Sequence, residues 1–384
     1  MAEKILINIL STEIVPNFIA AIELNPDRII ALASTEYRWQ INLLEQYTVT
    51  HKTVEYRPYN FKEDFSIVAN LIQEFSEDAE VFINFTGGTK IMSVSAVLGG
   101  ILGGKNRKLT MIYVDTPSQK LHQISFADGK MEMREALPMQ IPIPIQAHIA
   151  FAQEKIKSTD DALTAQQECW LEQIKKLMWK DEMRGFFGNQ RKFHEGRNIK
   201  RRGAFNFNFS HTKKGRLSGS CDWKATQLSL LSPKGTQVEL KGEGVIEFMA
   251  GNWLEAYVFS LCKKSDLFDA VLLNTKLSLK QETIAILQKK RKNVKDEKNE
   301  LDVVVSKGVR SAIIECKSGS VTQDAVYKVA TLRDHLLGSY GLAVIACRFK
   351  PEPGILEKAK DCDVSIFYKK ELKNLPQQLR ELIG

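Results

Sequence analysis

Residues 299–320 read NELDVVVSKGVRSAIIECKSGS, and this stretch decides the fold of the C-terminal half. Two apolar runs, Leu301 to Ser306 and Ser311 to Ile314, flank Lys307-Gly308, which predicts a two-stranded hairpin with a tight, glycine-containing turn. The first strand opens with the carboxylate of Asp302 and the second ends with that of Glu315, so both can converge at one edge of a sheet. Lys317 lies two residues beyond Glu315, and a strand's period of two puts the pair on one face. Hard carboxylate oxygens suit Mg²⁺ or Mn²⁺, and an ammonium beside them can orient a water and offset phosphate charge. The bland alternative is a salt bridge at a solvated strand end. Ala-Ile-Ile directly before Glu315 speaks against it.

Upstream, GNWLEAYVFSLCKK at 251–264 has a helical apolar rhythm through Trp253, Leu254, Tyr257, Val258 and Leu261. Glu255 sits beside that stripe, as either a further carboxylate of the site or an exposed helix glutamate. Glu300 shares a face with Asp302 and either supports a metal or faces solvent.

The N-terminal half alternates strand and helix. Apolar runs at Lys4–Leu10, Arg28–Ala33, Val54–Tyr56, Val81–Phe85 and Leu109–Val114 predict buried strands. Amphipathic stretches at Ile14–Leu24, Arg38–Tyr47, Glu63–Phe75 and Lys90–Gly103 predict the helices between them. Five strands separated by four helices imply an α/β fold, a Rossmann-like doubly wound parallel sheet, whose ligands bind beyond the carboxyl ends of the strands. Small polar residues occupy those ends: Ser11-Thr12, Ser34-Thr35 and Asp115-Thr116. The sharpest of them is Asn84-Phe85-Thr86-Gly87-Gly88-Thr89-Lys90. A Gly-Gly turn opening a helix lets main-chain N–H groups approach a phosphate, and Lys90 adds charge. Neither GxxxxGK[ST] nor GxGxxG is present, which excludes a Walker A loop and disfavours a dinucleotide.

Charge divides the chain. Residues 1–150 hold 13 Lys/Arg against 17 Asp/Glu, a net of −4, which leaves +12 for the rest of a chain whose net is +8. A basic C-terminal part is the footprint of polyanion binding. Its clusters are Arg184 to Arg202, continued by KKGR at 213–216, and QKKRKNVKDEK at 288–298. Phenylalanines interleaved with the first suit stacking on single-stranded bases. The six cysteines, Cys169, Cys221, Cys262, Cys316, Cys347 and Cys362, have no zinc spacing and read as reduced thiols. No apolar run approaches the roughly eighteen residues needed to cross a bilayer, so no membrane association is expected. The opening MAEKILINIL enters a strand at once without a signal-peptide pattern, and a cytoplasmic protein is expected.

Asp302 followed by Glu315-Cys316-Lys317 resembles the PD-(D/E)xK nucleases. TGGTK between the fourth strand and its helix, in a sheet ahead of such a module, is similar to CRISPR-ancillary nucleases with a CARF (CRISPR-associated Rossmann-fold) domain. That resemblance covers the domain order, TGGTK, NWLEAYV, NELDVVV and IIECKSGS. It implies a C-terminal restriction-endonuclease-like α/β domain with Asp302, Glu315 and the Cys316 carbonyl as ligands of Mn²⁺ or Mg²⁺. Lys317 is implied as the catalytic lysine and Glu255 as a further catalytic carboxylate. Thr86 to Lys90 are implied to bind a cyclic oligoadenylate, with Ser11, Thr12, Ser34, Thr35, Asn84 and Thr116 around it. Cyclic tetra-adenylate is the implied activator, the homodimer the implied assembly, and DNA or RNA the implied substrate. Leu301 stands where the family name has proline, a departure that leaves the aspartate's role intact.

The expected domains are a sensor at 1–146, a helical linker and basic connecting region at 147–240, and the nuclease at 241–384. PMQIPIPIQ at 138–146 marks the exit from the first. Helical periodicity is expected over 147–182. Two other readings stay open: a ligand-responsive nucleic-acid-binding regulator, and a ring nuclease that degrades the cyclic oligoadenylate itself.

Overall fold

KILINI, the strand β1 (Lys4–Ile9), is buried on both faces beyond its first lysine, which only a central strand covered by helices on either side can be. It pairs in parallel with β2 (Arg28–Ala33) and β4 (Glu80–Asn84). β3 (Val54–Pro58) joins β2 and β5 (Lys108–Asp115) joins β4, again in parallel. The order is therefore β3-β2-β1-β4-β5, with helices α1 (Val15–Leu24), α2 (Trp39–Tyr47), α3 (Ile67–Gln73) and α4 (Lys90–Gly103) making the crossovers. The direction of winding reverses between β1 and β4. The loops that follow those two strands carry Ser11-Thr12 and TGGTK, so both ligand-site candidates fall at the switch point of the sheet.

The computed structural model describes residues 2–48, 54–59, 66–104, 107–127, 130–175, 178–179, 204–211, 215–222, 226–231, 235, 237–278 and 299–384. They fall into two compact units, Met1–Gln153 and Glu154–Gly384.

The first unit extends its parallel sheet with antiparallel strands absent from the sequence expectation: β6 (Lys120–Ala127), β7 (Lys130–Met133) and the short β8 (Leu137–Pro138). β6 buries Gln123 and Ser125, so its inward face carries no hydrophobic alternation. α5 (Ile145–Phe151) completes the unit.

In the second unit a six-stranded sheet runs β18-β17-β16-β15-β14-β9. Its members are β9 (Ile156–Asp160), β14 (Ala270–Leu277), β15 (Asn299–Lys307), β16 (Arg310–Lys317), β17 (Gly341–Cys347) and β18 (Val364–Tyr368). β9 corrects the expected helix over 147–182: after α5 the chain forms this edge strand before α6 (Ala165–Ile174) begins. IKSTD is short and polar, as an edge strand can be, and leaves no apolar run to read. The rest of the expected helical and basic connection contains an antiparallel meander, β10 (Ala204–His211), β11 (Gly215–Asp222), β12 (Gln227–Leu231) and β13 (Gln237–Lys241).

A short helical turn and a π-helical turn, Phe248–Asn252, lead into α7 (Trp253–Lys264), whose Trp253, Leu254 and Val258 are fully buried against the sheet. α8 (Gln323–Leu336), α9 (Pro353–Asp361) and α10 (Leu375–Ile383) follow. Among the described residues no helix is long and apolar enough to cross a membrane.

Candidate active site and ligand-binding cavity

The hairpin forms as its sequence predicts, turning through Gly308 at φ +57°, with Lys307 paired to Arg310. Its ladder ends with Val303 paired to Ile314, so Asp302 and Glu315 are the residues next to that last pair on their two strands. The Cys316 N–H donates to Asp302 Oδ2 at 2.7 Å, which fixes that carboxylate across the two strands. Glu315 is only 2% exposed. Its Oε1 accepts from Lys317 Nζ, and both of its oxygens accept from Lys328 Nζ, at 3.0 and 2.8 Å. On the other side of Asp302, Asn274 of β14 stands in the left-handed region at φ +51°, a conformation asparagine tolerates, beside the irregular pairing of β14 with β9.

Electrostatics bring Glu255 into the same group. Burial, then the charges of Asp302 and Glu300, push its carboxyl up to about 8. Burial and Glu315 push Asp302 up to about 6, against the opposing hydrogen bond from Cys316. For Lys317, burial alone lowers the pKa, but Glu315 and Asp302 outweigh it and hold the ammonium above the ordinary lysine value. Lys317 is therefore a cation at neutral pH. The Cys316 thiol is raised well above its usual value by burial and by the Asp302 and Glu255 charges, so its side chain is a buried neutral thiol. Glu300 lies on the same strand, 3.9 Å from Lys276 Nζ.

Buried carboxylates with raised pKa values mark a place where added positive charge is favourable. Two carboxylates and a carbonyl are hard oxygen donors, and this donor set fits Mg²⁺ or Mn²⁺. Among the described residues no group of three His, Cys, Asp or Glu side chains is arranged to hold an ion by itself. Lys328 was not legible in the motif. Its only sequence signal is its place next to Val329 on the buried stripe of α8.

In the first unit a cavity of about 850 Å³ opens beyond the carboxyl ends of the strands. Ser11, Thr12, Ser34, Thr35, Gly88 and Thr89 line it, six of the expected ligand residues. Aromatic residues the sequence did not single out, Tyr37, Tyr56 and Tyr59, line it too, with Glu36. The Arg38 guanidinium lies 5.0 Å from the Tyr56 ring centre.

Asn84, Thr86, Gly87, Lys90 and Thr116 do not line this cavity, and the turn around them is held by its own hydrogen bonds. Asn84 is fully buried and belongs to an asparagine network beneath the turn. Its Nδ2 lies within 3.1–3.2 Å of Asn8 Oδ1, Asn17 Oδ1 and the Pro16 carbonyl, and its Oδ1 accepts from the Thr86 N–H. Thr86 Oγ1 accepts from the Val114 N–H at 2.7 Å and ties the turn to β5. Gly87 is packed so closely that a Cβ there would stand 2.4 Å from the Ile9 carbonyl oxygen. Gly88, at φ +86°, donates its N–H to Ser11 Oγ. Thr89 caps α4 through the Met92 N–H, and Lys90 is exposed outside the cavity lining. Thr116 lies in a turn, its carbonyl accepting from the Gln119 N–H. The basic runs 184–202 and 288–298 lie outside the described residues.

A doubly wound sheet with a cavity at its switch point, followed by a sheet that gathers acidic groups and lysines, defines a ligand-binding unit joined to a unit of nuclease type. Family models agree over both: residues 5–140 match the Card1 CARF domain, and residues 243–383 match the Card1-like endonuclease domain. The chain belongs to this family of CARF-domain nucleases. Among solved structures it is similar to Can2 from Sulfobacillus thermosulfidooxidans in complex with cyclic tetra-adenylate, at 18% identity and TM-score 0.70, covering 99% of both chains. It is equally similar to VC1899 from Vibrio cholerae, at 17% identity and TM-score 0.70, covering 99% of this chain and 98% of that one. A type III CRISPR defence DNA nuclease activated by cyclic oligoadenylate matches at 14% identity and TM-score 0.50, over 92% of this chain and 47% of that one. No curated protein matches the sequence significantly.

Proposed function

We propose that the protein is a metal-dependent nuclease that cleaves DNA or RNA when its CARF domain binds cyclic tetra-adenylate, as part of type III CRISPR defence. The observation that carries this reading is the convergence of Asp302, Glu315 and Lys317 at one end of a hairpin, with Glu255 electrostatically coupled to them. That grouping matches the donor and cation pattern of PD-(D/E)xK sites. Asp302, Glu315 and the Cys316 carbonyl would hold Mn²⁺ or Mg²⁺. A divalent ion there supplies charge neutralisation and a water of lowered pKa. Lys317, kept protonated by its carboxylate neighbours, orients the attacking water and offsets phosphate charge rather than removing a proton. Glu255, whose carboxyl is pushed up to about 8 by burial and its acidic neighbours, holds its proton at neutral pH and is the group that can donate one to the leaving oxygen.

Support for the ligand comes from the cavity. Its hydroxyls suit ribose and phosphate, and its tyrosines suit adenine faces. Support for a homodimer comes from α4, where Ile91, Val94, Leu98, Ile101 and Leu102 form an exposed apolar stripe at helical spacing, with Leu98 55% exposed. Such a contiguous exposed apolar stripe marks an interaction face, and a two-fold pairing of α4 with its copy would cover it.

The test is direct. Purified protein is incubated with each cyclic oligoadenylate, Mn²⁺ and labelled DNA and RNA. Cleavage that requires both cyclic tetra-adenylate and the ion is expected. Intact nucleic acid under every combination refutes the nuclease reading and leaves a binding regulator. Loss of the cyclic ligand in its place identifies a ring nuclease.

A further inference from the structure

Glu315 is already saturated with positive charge. Lys317 reaches one of its oxygens and Lys328 both, so two ammoniums face a carboxylate that is 2% exposed. The two lysines are not equivalent. Lys317 follows Glu315 on the same strand, where its bond is a consequence of strand geometry. Lys328 arrives from a different element, α8, across thirteen residues of sequence. Its side chain is 41% exposed, against 33% for Lys317. A long flexible stem anchored outside the sheet can move its charge into solvent without disturbing the strands.

A metal ion and the Lys328 ammonium compete for the same oxygens. At contact distance two cations repel, and the Lys328 ammonium already bridges both side-chain oxygens of Glu315. We propose that Lys328 is a displaceable internal cation, which neutralises Glu315 in the metal-free chain and must leave it before a divalent ion binds. The inference rests on the reading of Asp302 and Glu315 as a metal-binding pair. It makes Lys328 a positioning residue that sets the metal concentration at which the site loads. The position of α8, which carries it, becomes a control on that loading. A second contact on α8 lies two turns further along: His335 Nε2 stands 2.8 Å from the buried carboxylate of Glu154, the first residue of the second unit.

Calorimetric titration of Mn²⁺ into the full chain tests this without reference to cleavage. Wild type is expected to bind Mn²⁺, and Glu315→Gln to lose that binding. Lys328→Met, which keeps the stem and removes the charge, is expected to bind Mn²⁺ roughly tenfold more tightly, the factor that about one charge-assisted hydrogen bond represents. Lys328→Gln should shift affinity in the same direction. Lys328→Arg, which restores the competing cation, should return it toward wild type, an outcome a merely structural role would not produce. Unchanged or weaker binding in both neutral variants, with binding through Glu315 intact in wild type, overturns the proposal and leaves the metal site standing. Absence of Mn²⁺ binding in wild type overturns both.

Discussion

Replacing Asn84 by alanine removes the centre of the polar network beneath the TGGTK turn. The side chain offers two N–H donors to three acceptors within 3.2 Å, and its Oδ1 receives the Thr86 N–H at 3.1 Å. At most three full hydrogen bonds can form at once, and at about 1 kcal/mol each the substitution costs about 3 kcal/mol. Asn8 and Asn17 are both fully buried, so water does not simply replace the lost partner. The loss is local and is best read locally. The Thr86 amide donates to Asn84 itself, and the Val114 amide donates to the Thr86 hydroxyl that the turn holds in position. Hydrogen exchange at these two amides should accelerate roughly 100-fold in Asn84→Ala, the factor equivalent to about 3 kcal/mol. Affinity for cyclic tetra-adenylate should fall with it, because the Gly88 and Thr89 rim loses its support. Exchange within threefold of wild type at both amides would refute the reasoning, since the network would then contribute nothing to holding the turn.

Three further outcomes are expected. Asp302→Asn and Lys317→Ala should each abolish most cleavage while leaving binding of the cyclic ligand unchanged; full activity of either at the wild-type Mn²⁺ concentration removes that residue from the site. In the metal-free protein the carboxyls of Glu255 and Asp302 are raised from 4.5 to about 8 and from 3.8 to about 6, so the folded state holds more protons than the unfolded one between those limits. Stability from these groups should therefore fall as pH rises from about 4 to 8 and level off above. The gain in melting temperature of Glu255→Gln over wild type in EDTA should widen across that range, and a constant difference would contradict the assignment. Leu98→Glu, which places a charge in the middle of the apolar stripe on α4, should turn the proposed homodimer into monomers by sedimentation equilibrium. An unaltered dimer moves the interface elsewhere.

The sensor sheet was legible because its strands are buried on both faces, so Lys4–Ile9, Arg28–Ala33 and Lys108–Asp115 are apolar runs with little ambiguity. The hairpin was legible for a related reason: a carboxylate at the head of one apolar strand and another at the tail of the next leave little choice of register. What escaped the sequence depends on pairing rather than on pattern. β9 acquires its strand character from β14, and β6 buries Gln123 and Ser125 where an alternation of apolar residues would have announced it. Asn84, Thr86 and Gly87 read as ligand residues because the turn is glycine-rich and polar, and the same groups also build that turn. The tyrosines that join Ser11, Ser34 and Thr89 in the cavity wall, Tyr37, Tyr56 and Tyr59, stand on another part of the chain and carry no motif. Lys328 illustrates the same limit, because a single lysine on a helix gains meaning only from the carboxylate it reaches.

The asparagine network separates foundation from façade in the sensor unit. Asn8, Asn17 and Asn84 fix the course of the chain from β4 into α4 through bonds that never reach the cavity. The cavity is walled by Ser11, Thr89, Glu36 and the tyrosines, none of which hydrogen-bonds to the three asparagines. A redesign that aims at a different cyclic nucleotide can therefore vary the rim while leaving the three asparagines untouched, and the entropy of forming the turn is spent during folding rather than on ligand arrival.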